Sequence, residues 1–184
     1  MNFLNNKKNV LERKDKSNEG SWDKKIDGLC RKINARKEYY TTSSCSGRIN
    51  LVKGFPEKAE DVFLFKSHEK ISFLQLKKEL EKAGKYKGLI YFKQEPCILH
   101  VACLDLESAK KLLNKARDVG WMRSGLISDK KIILELISTE KLELPIINNG
   151  KLLVDENYLK LLVKEANKKL TRTWEKVKKL EKLV

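Results

Sequence analysis

The densest run of chemically capable side chains is Thr41-Thr42-Ser43-Ser44-Cys45-Ser46-Gly47-Arg48. Five hydroxyls, one thiol, one glycine and one arginine fall within eight residues. A core strand does not favour this composition, because each buried hydroxyl needs a hydrogen-bond partner. Small side chains let a ligand approach the backbone, and Gly47 can take a conformation closed to other residues. Arg48 supplies a planar fork suited to carboxylate or phosphate. The plainer reading of the same run is a hydroxyl-rich edge strand with a turn. Cys45 is a weak candidate nucleophile, since no His or Asp adjoins it in sequence.

The elements that must position this run follow from periodicity and capping. Trp22, Ile26, Leu29, Cys30 and Ile33 repeat at helical spacing and predict an amphipathic helix ending near Arg36. YYTTSSCSGRINLV (39–52) is β-prone, with Gly47 as its interruption. VFLF (62–65) reads as a short buried strand. Ser72 with Gln75 three residues on is a capping-box pattern, opening a helix that stops at Gly84. LIYF (89–92) and CILHVAC (97–103) are strands separated by Glu95-Pro96. Asp105 can cap a helix running to about Val119, with Gly120 at its end. RSGLIS and KIILELI flank Asp129-Lys130 as a hairpin, and LELPII is a further strand turned by Asn148-Asn149-Gly150. Asp155 caps a final helix, 155–183, whose apolar face runs from Leu159 to Leu180.

The middle therefore reads β-α-β-β-α-β followed by more strands. That order predicts an α+β fold, with a mixed or antiparallel sheet, helices on one side and a long C-terminal helix. No GxGxxG follows a first strand, so a Rossmann arrangement is disfavoured. Residues 1–18 are expected to be a flexible or helical arm, and 19–184 a single catalytic domain that includes the last helix.

Charge narrows the partner. The chain carries 40 basic and 25 acidic side chains, a formal net charge of +15. Residues 21–56 hold eight basic against three acidic groups, and 151–184 hold ten against five. The span 57–150 is nearly balanced, seventeen against fourteen, as a packed domain would be. Excess lysine and arginine fit a polyanion, because they neutralise phosphates and release counterions. A lysine-rich solvated surface is the competing explanation, and it is favoured for most lysines of the last helix, where Glu165, Glu175 and Glu181 interleave. No run approaches the roughly 18 apolar residues of a membrane helix. The polar first twenty residues do not resemble a secretory signal, so a cytoplasmic setting without membrane contact is expected. Four cysteines without a CxxC pair, and two histidines, give little reason to expect a metal.

The motifs also carry a resemblance. Thr41-x-Ser43-Ser44-Cys45-x-Gly47-Arg48 resembles the S-x-S-S-C-x-G-R signature of the tRNA wybutosine-synthesising protein three family, archaeal and eukaryotic. Gly20-Ser21-Trp22-Asp23 is similar to the end of the family's K-G-S-x-D motif, and Ser67-His68 to its serine-histidine pair. Phe92-Lys93, Glu95-Pro96 and Leu99-His100-Val101 resemble F-K-x-E-P-x-x-L-H-V, while Gly120-Trp121-x-Arg123-Ser124-Gly125 resembles the family's G-F-R-x-S-G region. Ser138-Thr139 with Pro145 resembles its closing element, so the motifs keep family order over roughly residues 19–145. Glu19, Thr41 and Trp121 stand where the family usually has lysine, serine and phenylalanine.

The resemblance implies an S-adenosylmethionine-dependent methyltransferase acting on tRNA(Phe), at N4 of the 4-demethylwyosine-type base at position 37. Methyl transfer is an in-line displacement that needs orientation more than acid–base power. On this resemblance Ser44, Arg48, His68 and Glu95 are expected in catalysis. Asp23, Ser43, Cys45, Gly47, Arg123, Ser124 and Gly125 are expected at S-adenosyl-L-methionine, and His100 and Trp121 at the substrate base. Each has a plainer reading. His100 can be a hydrogen-bonded core histidine, Trp121 core packing, Glu95-Pro96 a strand end, Asp23 a helix N-terminal charge and Arg123-Ser124-Gly125 a turn. The alternatives to the enzyme are a non-catalytic tRNA-binding module and a different nucleotide-dependent enzyme.

Overall fold

Gly47 divides the hydroxyl-rich run as expected. The computed structural model describes residues 2–12, 23–54, 62–128 and 131–184. Its strands are β1 (Tyr39–Cys45), β2 (Arg48–Lys53), β3 (Phe63–Ser67), β4 (Leu89–Glu95), β5 (Ile98–Cys103), β6 (Gly125–Ser128), β7 (Ile133–Ile137), β8 (Leu142–Asn148) and β9 (Lys151–Leu152). Its helices are α1 (Phe3–Leu11), α2 (Asp27–Ala35), α3 (Phe73–Ala83), α4 (Leu106–Asp118) and α5 (Glu156–Leu183). Between β1 and β2, Gly47 has φ +92°, in the left-handed region that favours glycine.

Two compact units result. The first comprises Met1–Ser46, Cys97–Thr139 and Thr173–Val184; the second comprises Gly47–Pro96 and Glu140–Arg172. The β-α-β-β-α-β order is present from β3 to β6, and every pairing is antiparallel. The fold is α+β and not a Rossmann arrangement. The strands nevertheless form two sheets where sequence order suggested one. The chain passes from the first sheet to the second at Ser46-Gly47 and back at Pro96-Cys97. Local strand signals do not encode which long-range partner each strand takes.

In the first unit the sheet order is β1-β5-β7-β6. Successive strand residues point to opposite faces. Leu99 and Val101 of β5, with Leu134 and Leu136 of β7, are therefore buried against one side. They share a core with Leu29, Cys30 and Ile33 of α2, Leu112 and Ala116 of α4, Trp121, and Val177 and Leu180 of α5. His100 and Glu135 fall between the buried residues and face the other way. The Asp105 carboxylate caps α4, accepting from Ser108 N at 2.7 Å, and this backbone hydrogen bond holds its carboxyl below the usual range. The hairpin of β6 and β7 forms as predicted, with its turn at Asp129-Lys130 outside the described residues. The predicted first helix begins at Asp27; Trp22 lies outside the described residues. Within the expected arm, α1 is helical and its Phe3 ring lies 5.1 Å from that of Tyr40.

In the second unit the sheet order is β3-β2-β4-β8-β9. Ile90, Phe92 and Gln94 of β4 are buried, and the alternate Tyr91, Lys93 and Glu95 are half-buried. Leu76 and Leu80 of α3 are buried, as are Leu159, Leu162, Ala166 and Leu170 of α5, at helical spacing. Ser72 caps α3, accepting from Gln75 N at 3.0 Å, and Asp155 caps α5, accepting from Tyr158 N at 2.8 Å. The Asn167 side chain grips the backbone of Ile71 from both sides, accepting at 3.0 Å and donating at 2.8 Å. The strand read as buried at VFLF is corrected here. β3 is the sheet's edge, with one neighbour, and Phe63 is 45% exposed.

Burial sets the expected stability effects. Trp121→Ala should destabilise the fold by about 3–5 kcal/mol, and Ser72→Ala by about 1 kcal/mol. Both are read from the denaturant midpoint. A Trp121→Ala protein with the wild-type midpoint would contradict the core described above.

Candidate active site

A β-bulge decides which way the hydroxyl-rich strand presents its side chains. Thr41 pairs with Val101 and Ser43 with His100, so the register of β1 against β5 shifts across Thr42. In an even strand Thr41 and Ser43 would share a face. The extra residue separates them, as bulges do when they re-aim a side chain. Thr41 is buried, donating its backbone N–H to Asn34 Oδ1 at 2.8 Å and accepting from Asn34 Nδ2 at its hydroxyl at 3.0 Å. Ser43 lies on the opposite face with Cys45, opposite His100.

On that outer face Ser43 Oγ is 2.9 Å from His100 Nδ1, and His100 Nε2 is 3.0 Å from Glu135 Oε2. The three residues stand side by side on β1, β5 and β7, at matched register. Glu135 is a functional candidate that sequence reading missed. Alternation in KIILELI exposes it, but only the β5–β7 pairing brings it to His100. Ser44 faces inward, toward the Cys30 thiol.

Asp23 ties down the end of β1, its carboxylate accepting from Ser46 N at 2.8 Å. A carboxylate oxygen of Asp23 lies within 4.8 Å of Cys45 Sγ. Ser46 Oγ is buried without a partner among the described residues. A buried polar atom left unmatched is costly to the fold. Burial pushes the Cys30 and Cys103 thiols up to about 12 and raises Cys97 well above its ordinary value. These three stay protonated and unreactive. Cys45 is half-buried at the strand end.

The 120s segment is largely structural. Trp121, expected to stack on a base, is 0% exposed within the core of the first unit. Its size and apolar ring make it a packing residue, and the expectation is corrected. Ser124, expected at the cofactor, is buried and its hydroxyl accepts from Ile137 N at 3.0 Å. That hydrogen bond joins the segment before β6 to the end of β7. Arg123 is exposed, and Gly125 lies opposite Glu135 on β6, with open space where a Cβ would stand.

The second unit holds a separate polar group. Arg48 and Glu95 are opposite each other on β2 and β4, and Arg48 Nε donates to Glu95 Oε2. Asn50 Nδ2 donates to the same oxygen at 2.9 Å. The Arg48 guanidinium also lies over the Phe63 ring, 4.7 Å from its centre. Both expected catalytic residues are thus held rigidly, each about a quarter exposed at 26% and 28%. The oxygens of Asn50 and Gln94 are buried without partners among the described residues. Asn50 was missed in the sequence, although a polar residue inside the apolar run INLV was its signal. Glu143 receives Lys141 at 2.8 Å and Lys93 at 2.7 Å, and these hydrogen bonds hold its carboxyl below the usual range. His68 follows β3, half-buried, within the turn in which Ser67 Oγ donates to Glu69 O at 2.9 Å.

This fold and signature identify a methyltransferase class. The family described as Methyltransferase TYW3 matches residues 4–184, and the chain belongs to that family. A Thermococcus sibiricus protein named tRNA(Phe) 7-((3-amino-3-carboxypropyl)-4-demethylwyosine(37)-N(4))-methyltransferase is 38% identical, over 98% of this chain and 93% of its own length. A Methanocaldococcus jannaschii protein of the same name is 39% identical, over 95% and 93%. The solved structure of the PH1069 protein from Pyrococcus horikoshii superposes with a TM-score of 0.87 at 34% identity, covering 99% of this chain and 95% of that one. No helix among the described residues is long and apolar enough to cross a membrane.

Accessibility orders the thiols. Brief treatment of the native protein with iodoacetamide should alkylate Cys45 and leave Cys30, Cys97 and Cys103 unmodified until unfolding, as read by peptide mass spectrometry. Equal labelling of all four in the native state would contradict the burial that shapes this site.

Proposed function

We propose that the protein transfers a methyl group from S-adenosyl-L-methionine to N4 of the 4-demethylwyosine-type base at position 37 of tRNA(Phe), in the cytoplasm. The observation that carries this reading is the near-complete match to relatives bearing that name, joined to the signature from Thr41 to Arg48. Four crossings of the chain between units support both acting as one catalytic domain over 19–184.

The donor set at the end of β1 fits the cofactor. Asp23 offers a carboxylate to a cationic or hydroxyl-bearing ligand, and Ser46 an unmatched buried hydroxyl. Ser43 and Cys45 line the same outer face. Bound there, the cofactor supplies an electrophilic methyl group on a sulfonium. The chain's own task is orientation, which can contribute several kcal/mol when reacting atoms are held in line (roughly 7–11 at best). In the second unit the Arg48–Glu95–Asn50 group supplies fixed donors and acceptors for the polar edge of a base or a phosphate. An anticodon-loop base is presented unpaired, so no duplex needs opening. The exposed cations of α2, Arg31 and Lys32 among them, suit tRNA phosphates.

The test is incubation of the protein and S-adenosylmethionine with tRNA(Phe) from cells lacking this methylation, followed by nucleoside mass spectrometry. The expected product is the tricyclic base heavier by one methylene unit. Arg48→Ala should lower the rate by about 10²-fold or more, as loss of a preorganised charge does, with the melting temperature changed by only a few degrees. Absence of the methylated base, with no heat of S-adenosylmethionine binding in calorimetry, would leave a non-catalytic tRNA-binding module as the better reading.

A further inference from the structure

Methylation of a ring nitrogen that carries hydrogen releases a proton, and the outer face of the first unit is built to receive one. An ionised Glu135 can only accept hydrogen bonds. Its contact with His100 Nε2 therefore places the imidazole hydrogen on Nε2. Nδ1 is left with a lone pair aimed at Ser43 Oγ, 2.9 Å away. Ser43 is exposed, whereas the His100 and Glu135 side chains are 29% and 35% exposed behind it. A hydroxyl, a base and an orienting carboxylate thus form a chain with one accessible end. This is the arrangement by which a histidine accepts a proton through a hydroxyl. The three residues sit on three adjacent strands of one sheet, so backbone pairing fixes their spacing.

We propose that Ser43, His100 and Glu135 form a proton relay for the methyl-accepting nitrogen, with Glu135 as its positioning residue; the inference rests on the methyltransferase reading above. The nitrogen's N–H bond breaks as its new bond to the methyl carbon forms and the carbon–sulfur bond breaks. The electron pair of that last bond stays on sulfur, which leaves as the neutral thioether. The released proton passes to Ser43 Oγ, whose own hydrogen moves to Nδ1. The imidazolium so formed is stabilised by Glu135 at Nε2. Ser43 touches the substrate, His100 holds the proton, and Glu135 acts through His100.

Two measurements on full-length protein test this. The first is steady-state methyl transfer by Glu135→Gln, Glu135→Asp and His100→Gln. Glu135→Gln and His100→Gln should lose about 10²-fold in kcat, the usual scale of general-base catalysis, with KM for tRNA unchanged. Glu135→Asp should recover part of the loss. The second is nitrogen-15 NMR of the imidazoles, simple to assign because the chain has two histidines. Wild-type His100 should be the Nε2–H tautomer, and Glu135→Gln should shift it toward Nδ1–H, with the melting temperature preserved. Wild-type kcat in Glu135→Gln would overturn the relay, as would loss of kcat with the His100 tautomer unmoved. A wild-type protein that methylates no tRNA would overturn the parent reading and the relay's task with it, while the imidazole spectrum would still report whether the hydrogen-bond chain exists.

Discussion

The placement of one extra residue in β1 governs what the first unit can present. Thr41 must face Asn34 to anchor the strand to α2, and Ser43 must face His100. Period-2 alternation forbids both within an even strand. The bulge across Thr42 reconciles them and keeps the pairing of β1 with β5 intact on either side. A slip of one residue would turn Ser43 inward, away from His100, and send Ser44 outward. The core beneath therefore specifies the site above it. Leu99, Val101, Leu134 and Leu136 fix β5 and β7 by burial, and that fixes His100 and Glu135 on the opposite face.

The second unit solves the same problem by pairing charges. Arg48 and Glu95 meet because β2 and β4 are in register, and Asn50 adds a second donor to the same carboxylate oxygen. A charged pair at intermediate burial contributes modestly to stability but holds geometry well when hydrogen bonds are added. The Phe63 ring beneath Arg48 restricts the guanidinium further. The signature run is thus split between the units, ending in a hydroxyl-bearing strand in one and opening with a fixed guanidinium in the other.

Local features were legible in the sequence because they are local. Ser72, Asp105 and Asp155 cap helices where the spacing placed them, and Gly47 breaks the strand pair. The helical face of α5 and the strand alternation of β4 and β5 follow from periodicity. What the sequence did not reveal depends on distant pairing. Glu135 gains meaning only beside His100, and Asn50 only beside Glu95. β3 reads as buried because it is apolar, yet it forms an edge. Trp121 has the composition of a stacking residue, and only the surrounding core decides that it is buried. The motif resemblance supplied the family and the activity, which neither charge nor periodicity contains.

The proposed ligand-binding surface of the first unit is the end of β1, aimed by the bulge. Amide chemical-shift mapping with added S-adenosylmethionine tests it most directly. The largest shifts are expected at Asp23, Ser43 through Ser46 and His100, with Trp121 and Ser124 little changed. Shifts concentrated on α4 and β6, with the β1 end unmoved on saturation, would contradict it.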